Sequence, residues 1–290
     1  MSPRPLSVSE LPLLAPDAAL FLDFDGTLAD LAPRPDAVRV PPSLIHTLQR
    51  LQQALHGAVA VVSGRPLEQL DELLHPLRLP SAGVHGVERR SADGYVQRLA
   101  VPALDRVIEA AQALCARLPG LLVERKHGAV ALHYRQAPEL GPYCEAALRA
   151  ALEDAPGLTL LQGKMVYEVK PTLANKGHAI QAFLREPPFR GRRALFAGDD
   201  VTDEDGFAAV QSEGGTAIKV GDGPSCAGWR LGDPQALREW LAQCAHALDA
   251  AAANGNRPAP APGEAAAGTS REAGADAART ARAAALPGGA

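Results

Sequence analysis

Three short apolar runs in this chain stop abruptly on polar residues, and that pattern leaves few folds open. Ala18 to Leu22 runs into Asp23-Phe24-Asp25, Ala58 to Val62 into Ser63-Gly64-Arg65, and Ala194 to Ala197 into Gly198-Asp199-Asp200. Runs this short, bounded by turn residues, predict strands buried on both faces. Thr216 to Val220 reads the same way. Between the first two runs lie a Pro-rich loop, Pro33 to Pro42, and then Leu44, Leu48, Leu51 and Leu55 at helical spacing. Leu67 to Leu77 also reads as a helix, Asn175 is placed to cap one beginning at Lys176, and a last helix spans about Gln235 to Leu248. Strand and helix in alternation predict an α/β fold, with a parallel sheet and helices on both faces.

The middle of the chain breaks this rhythm. Ala103 to Leu118 reads as a helix, followed by strands Leu121 to Lys126 and Ala129 to Arg135 joined at His127-Gly128. Pro138 to Asp154 reads as a second helix with proline near its start, and Leu158 to Gln162 pairs with Met165 to Lys170 around Gly163-Lys164. A helix-hairpin pattern that occurs twice predicts a compact α+β module, residues 101–172, inserted into a core made of 18–100 and 173–250. A short segment, 1–17, precedes the core. The stretch 251–290 is rich in Ala, Gly and Pro. It has too little apolar surface to offset the entropy of ordering, which predicts disorder, although alanine permits transient helix.

Composition narrows the function classes. The chain has 290 residues, 47% hydrophobic and 21% charged, ordinary values for a soluble globular protein. Aromatics are scarce at 4%, so Leu, Val and Ala must fill the core. A net charge of -4 provides no basic footprint for nucleic acid. Cys115, Cys144, Cys226 and Cys244 lack the short spacing of a zinc site and read as reduced thiols. No stretch approaches the roughly 20 apolar residues of a membrane span, and Met1 to Asp17 does not read as a signal peptide. The expectation is a soluble, cytoplasmic protein with no membrane partner.

The polar strand ends carry the chemistry. In an open parallel sheet, ligands bind just beyond the carboxyl ends of the strands. Asp23 and Asp25, side by side after a buried run, would repel each other and lose hydration, and a hard cation relieves both costs. Mg²⁺ takes a few carboxylate oxygens together with water and substrate phosphate. Gly26 permits a tight turn there and Thr27 adds a hydroxyl. Gly198 to Gly206 holds five acids in nine residues. A calcium loop counted back from Gly206 would put Val201 first and Ser212 twelfth, where acids are required, so that reading fails. No GxxxxGK[ST] loop is present, which argues against an NTPase of that class. Taken alone, Ser63-Gly64 reads as a turn and Lys176 as a surface lysine.

In this order the pieces resemble the haloacid dehalogenase superfamily: Asp23 to Thr27 as its DxDGT motif, Ser63 as the second, Lys176 as the third, and Gly198 to Asp203 as the acidic fourth. The resemblance implies a Rossmann-like core and makes the inserted α+β module a cap. Within that superfamily, the chain from about Ala18 to Trp240 is similar to trehalose-6-phosphate phosphatases. Glu124-Arg125-Lys126, Ala131 to Arg135, Gly163-Lys164, Glu168 to Pro171, Gly83-Val84-His85-Gly86 and Gly198 to Glu204 carry the likeness.

The resemblance implies Asp23 as nucleophile, Asp25 as general acid and then base, and Ser63 and Lys176 as phosphate-binding groups. It implies Mg²⁺ held by Asp23, Asp199 and the main-chain carbonyl of Asp25, with Asp200 and Asp203 holding its waters or orienting Lys176. Arg65, Glu124, Lys126, Arg135 and Glu168 become the substrate-binding set, the last four expected on strands facing the site. Without the resemblance, the charges of Glu124, Lys126, Arg135 and Glu168 read rather as ordinary cross-strand pairs. His85 reads as a substrate contact or a structural histidine, and Tyr134 as packing. The implied substrate is a small sugar phosphate, trehalose 6-phosphate, in the final step of trehalose biosynthesis, with a trehalose-phosphate synthase as candidate partner. Sucrose phosphate, mannosylglycerate phosphate and a non-catalytic sugar-phosphate sensor are the alternatives.

Overall fold

The computed structural model describes residues 11–153 and 155–253. Residues 1–10 and 254–290 lie outside them, so most of the stretch 251–290 expected to be disordered is not described, while 251–253 continue the last helix rather than begin that stretch. The first strand, β1 (Ala18–Leu22), is buried along its whole length. Successive side chains of a strand point to opposite faces, so both faces of β1 are covered. Helix α1 (Pro42–Ala54), strand β2 (Val59–Val62), helix α2 (Leu67–Leu73) and the short strands β3 (Ser81–Gly83), β4 (Glu88–Arg90) and β5 (Val96–Arg98) follow. After the inserted module come α5 (Lys176–Leu184), β10 (Arg193–Gly198), α6 (Glu204–Ser212), β11 (Thr216–Val220), β12 (Trp229–Leu231) and α7 (Pro234–Ala253).

These strands form one sheet in the order β12-β11-β10-β1-β2-β3-β4-β5. It is parallel from β12 to β3, and β4 and β5 add an antiparallel edge that the reading of a parallel sheet did not include. The chain winds outward from β1 through β2 and β3, then restarts on the other side with β10. The crevice between the carboxyl ends of β1 and β10 is therefore the topological switch point, where open α/β sheets bind ligands. Leucine, valine and alanine dominate the core, with Phe21, Phe183 and Phe189 clustered against one another. α1 packs on α7, and α5 on α6.

The inserted module has its own sheet and core. Helix α3 (Asp105–Arg117), strands β6 (Leu122–Lys126) and β7 (Ala129–His133), helix α4 (Gly141–Leu152) and strands β8 (Leu158–Gly163) and β9 (Val166–Pro171) make an antiparallel sheet in the order β6-β7-β9-β8. Val130, Leu132, Tyr167 and Val169 pack with Val107, Ala111, Cys144 and Leu148 of the two helices. Alternation then turns Lys126, Ala131 and Glu168 to the other face. Pro138–Leu140 is a separate 3-10 turn, so the helix expected from Pro138 starts at Gly141. Tyr134 stacks on Tyr167, the packing role anticipated for it. Among the described residues, no helix is long and apolar enough to cross a membrane.

Candidate active site

Asp23 leaves β1 with its amide bonded to the Ala197 carbonyl at 2.9 Å, which sets it beside the end of β10. The chain then turns tightly. The amides of Leu28 and Ala29 both bond to the Phe24 carbonyl, and Gly26 sits at φ +82°. A Cβ on Gly26 would fall 2.2 Å from Asp199 Oδ2, so the absent side chain is what admits the Asp199 carboxylate. Thr27 Oγ1 lies 3.1 Å from Asp23 Oδ2 and 3.3 Å from Asp199 Oδ1, and its single proton serves one at a time.

Lys176 joins the first and fourth motifs. Asn175 caps α5 by accepting from the His178 amide at 2.7 Å, and this fixes the start of the helix. From there the buried Lys176 Nζ donates to Asp23 Oδ1 at 2.6 Å and to Asp203 Oδ1 at 2.7 Å. Asp203 Oδ2 accepts the amides of Asp199 and Asp200 at 3.0 and 2.9 Å, holding the acidic loop in shape. Asp200 caps that turn and makes no bond to Lys176; of the two acids of this loop expected to orient the lysine, Asp203 is the one in contact with it. Asp23, Asp199 and Asp203 each offer a carboxylate oxygen, all within 4.8 Å of one another.

Three carboxylates this close and this buried are electrostatically costly. Burial and the neighbouring Asp203 push Asp23 up to about 7 against the pull of Lys176. Burial and Asp23 push Asp199 up to about 6. A hard divalent cation among these oxygens would reverse both effects, and an all-carboxylate donor set suits one. Lys219 on β11 bonds the Asp199 carbonyl, and Lys164 from the β8–β9 turn bonds Asp199 Oδ2. Neither contact was foreseen.

Ser63 follows β2 directly, with its amide on the Ala82 carbonyl at 2.9 Å, and its hydroxyl accepts the Arg65 amide at 3.1 Å. The Arg65 guanidinium clasps Asp25 through Nε–Oδ2 at 2.7 Å and Nη2–Oδ1 at 2.8 Å. Its carboxylate partner is thus Asp25, and it also lines the cleft where a substrate contact is expected of it.

The polar face of the inserted sheet looks into the same cleft. Lys126 Nζ donates to Glu168 Oε2 at 2.5 Å and to the Gly64 carbonyl at 3.0 Å, tying the module to the second motif. His85 Nε2 lies 3.3 Å from Glu168 Oε1. Burial alone would raise the Glu168 carboxyl, but the charge of Lys126, with the His85 ring beside it, outweighs burial and holds it well below the usual range. Burial dominates at His85 and lowers it, favouring the neutral ring. Among the described residues, His85 Nδ1 and Glu168 Oε1 are buried side-chain polar atoms without a hydrogen-bond partner, and both residues line the cleft. Glu124 faces His133 at 2.9 Å and Gln69 at 3.4 Å. Arg135 differs from expectation: it lies past the end of β7, is exposed, and donates to the Lys164 carbonyl at 3.0 Å.

Asp23, Asp25, Ser63, Arg65, Glu124, Lys126, Arg135, Glu168, Lys176 and Asp199 thus line one cleft. So do His85, Lys164, Gln69 and the loop residues Leu31 to Arg34. Of these, the Gly163-Lys164 pair was the one visible signal for Lys164.

Comparison with known proteins agrees with this geometry. A family model described as trehalose-phosphatase matches residues 21–234. A trehalose-6-phosphate phosphatase of Escherichia coli (strain K12) is 43% identical over 243 residues, covering 83% of this chain and 91% of the relative. A probable trehalose-phosphate phosphatase of Sinorhizobium fredii is 49% identical over 205 residues, covering 70% and 77%. Among solved structures, a trehalose-6-phosphate phosphatase related protein superposes with a TM-score of 0.68 at 26% identity, over 79% of this chain and 97% of that one.

Proposed function

The chain belongs to the trehalose-phosphatase family and is a phosphatase of the haloacid dehalogenase-like fold, and from that premise we propose that it hydrolyses trehalose 6-phosphate with Asp23 as nucleophile. The observation that carries the reading is the pairing of Lys176 with both Asp23 and Asp203, with Asp199 beside them at the switch point of the sheet.

In this mechanism an Asp23 oxygen attacks phosphorus in line with the sugar oxygen, and the P–O bond to the sugar breaks. Asp25 delivers a proton to the departing oxygen, so trehalose leaves neutral and the phosphoryl group stays on Asp23. Asp25, now a carboxylate, takes a proton from water as that water attacks phosphorus, and Asp23 is released with inorganic phosphate. Lys176 stabilises the charge on the equatorial phosphoryl oxygens, and Ser63 donates a hydroxyl to one of them. Asp23, Asp199 and the Asp25 carbonyl would hold Mg²⁺, which when bound supplies further positive charge at the transferring group. Residues 101–172 act as the cap, and Glu124, Lys126 and Glu168 offer paired donors and acceptors for sugar hydroxyls. Arg135 sits at the edge of that set. A cytoplasmic enzyme fits the four unpaired cysteines, and a trehalose-phosphate synthase is the partner that would supply the substrate.

A phosphate-release panel tests the assignment, with and without EDTA and added Mg²⁺. Trehalose 6-phosphate should be turned over well ahead of glucose 6-phosphate, sucrose phosphate and mannosylglycerate phosphate, EDTA should abolish turnover, and Mg²⁺ should restore it. Equal rates for trehalose 6-phosphate and glucose 6-phosphate would reject the substrate. Full activity in EDTA would reject the metal.

A further inference from the structure

Both oxygens of the Asp199 carboxylate are engaged, and by different parts of the molecule. Oδ1 faces Thr27 of the first motif at 3.3 Å, whereas Oδ2 accepts from Lys164, which lies in the turn between β8 and β9. The acid is almost fully buried, with a side-chain exposure of 4%, while the lysine remains 47% exposed. Lys164 therefore reaches into the core from a surface turn. That turn is braced for the purpose. Met165 holds a left-handed φ of +64°, and Arg135 donates to the Lys164 carbonyl at 3.0 Å.

The other lysines of the cluster are committed elsewhere. Lys176 bonds the carboxylates of Asp23 and Asp203, and Lys219 bonds the backbone of Asp199. Among the described residues, Lys164 is the ammonium group bonded to the Asp199 carboxylate. A divalent cation and an ammonium cannot share one carboxylate oxygen, because like charges at that separation repel strongly in a partly buried site.

We propose that Lys164 is a cap-borne counter-ion that competes with the divalent cation for Asp199, so that metal loading releases the β8–β9 turn from the core. The inference rests on the reading of Asp199 as a metal ligand. Linkage makes the coupling reciprocal: whatever weakens the Lys164 contact strengthens metal binding, and metal binding loosens the turn.

The test uses the full chain and Mn²⁺ as a spectroscopic probe, titrated by EPR in wild type, Lys164→Met and Lys164→Arg. Loss of a competing ion pair of ordinary strength should tighten Mn²⁺ binding about fivefold in Lys164→Met. Lys164→Arg keeps a competing cation and should stay near wild type. Hydrogen exchange at the amides of Lys164 and Met165 should rise with Mg²⁺ in wild type and be indifferent to Mg²⁺ in Lys164→Met. Mn²⁺ affinity in Lys164→Met that is equal to wild type or weaker overturns the proposal, as does wild-type exchange that ignores Mg²⁺. Asp199→Asn separates the two layers. If it leaves Mn²⁺ binding intact, Asp199 is not a ligand and both readings fall; if it abolishes binding while Lys164→Met changes nothing, only the counter-ion proposal falls.

Discussion

Arg65 holds both carboxylate oxygens of Asp25, at 2.7 and 2.8 Å, through a planar guanidinium fork. The same residue gives its backbone amide to Ser63 Oγ at 3.1 Å, so one arginine aligns the proposed proton donor and a phosphate-binding hydroxyl. An ammonium cannot reproduce a two-point clasp on a carboxylate. Arg65→Lys should therefore keep the charge and lose the aim of Asp25, lowering kcat/KM by about ten- to a hundredfold through misorientation. Steady-state kinetics on trehalose 6-phosphate measures this, and an unchanged kcat/KM would show that the clasp does not position the acid.

Asp23→Asn separates catalysis from folding. The substitution removes the nucleophile and should lower kcat by at least about a thousandfold. It also removes a buried charge that its surroundings penalise, since burial and Asp203 hold Asp23 up to about 7. Lys176 keeps Asp203 as a partner at 2.7 Å. The melting temperature in EDTA should accordingly be no lower than wild type. A large drop would mean that Asp23 is a structural anchor.

Gly26 is a steric requirement of the acid cluster. At φ +82°, with its missing Cβ 2.2 Å from Asp199 Oδ2, it leaves no room for a methyl group. Gly26→Ala should displace the Asp199 carboxylate, weaken Mn²⁺ binding and reduce kcat by about a hundredfold, the scale of loss for a reacting group misplaced by about 1 Å. Normal Mn²⁺ affinity in this variant would contradict the placement of Asp199 over Gly26.

How much of this was legible in advance differs by residue. Asp23 and Asp199 stood out because each follows an apolar run, a local signal, whereas Ser63 and Lys176 read locally as a turn and a surface lysine and gained meaning only from the order of the four motifs. β4 and β5 were invisible because each is three residues long and Glu88-Arg89-Arg90 carries no apolar alternation. Their support is non-local: Arg90 bonds Asp71 and the Leu79 carbonyl. Lys126 and Glu168 alternate onto one face of their strands, but only the tertiary arrangement turns that face toward Gly64 and His85. The Lys164–Asp199 contact joins residues 35 apart through the fold, and no local pattern encodes it.

The Lys126–Glu168 pair is buried, with side-chain exposures of 9% and 6%. Removing one partner leaves an uncompensated charge in a low-dielectric site. Lys126→Met should destabilise the fold by about 3 kcal/mol or more, read as a lower urea midpoint at constant m-value. The double substitution Lys126→Met with Glu168→Gln removes the stranded charge and should recover most of that loss, while sugar discrimination is lost in both. No recovery in the double variant would mean that the loss comes from packing of the lysine stem.

His85 sets a pH dependence of stability. Its ring is buried, faces Glu168, Lys126 and Lys176, and is held below the usual histidine range, chiefly by burial. The unfolded chain takes up this proton near pH 6.5, above the value in the folded state. The contribution of a neutral His85 is thus fully present above about pH 6.5 and is lost as pH falls toward the folded value, because the unfolded state then binds more protons. Asp23 and Asp199, raised to about 7 and about 6, act with the opposite sign in the same window, so the raw stability of wild type would blur the effect. The difference between wild type and His85→Asn isolates it, since asparagine tolerates the left-handed φ of +55° at this position. In urea titrations in EDTA, that difference should shrink from pH 7.5 to pH 5.5 with a limiting slope of about 1.4 kcal/mol per pH unit. A difference that grows as pH falls would mean that the folded protein prefers a protonated His85, paired to Glu168 as a full salt bridge.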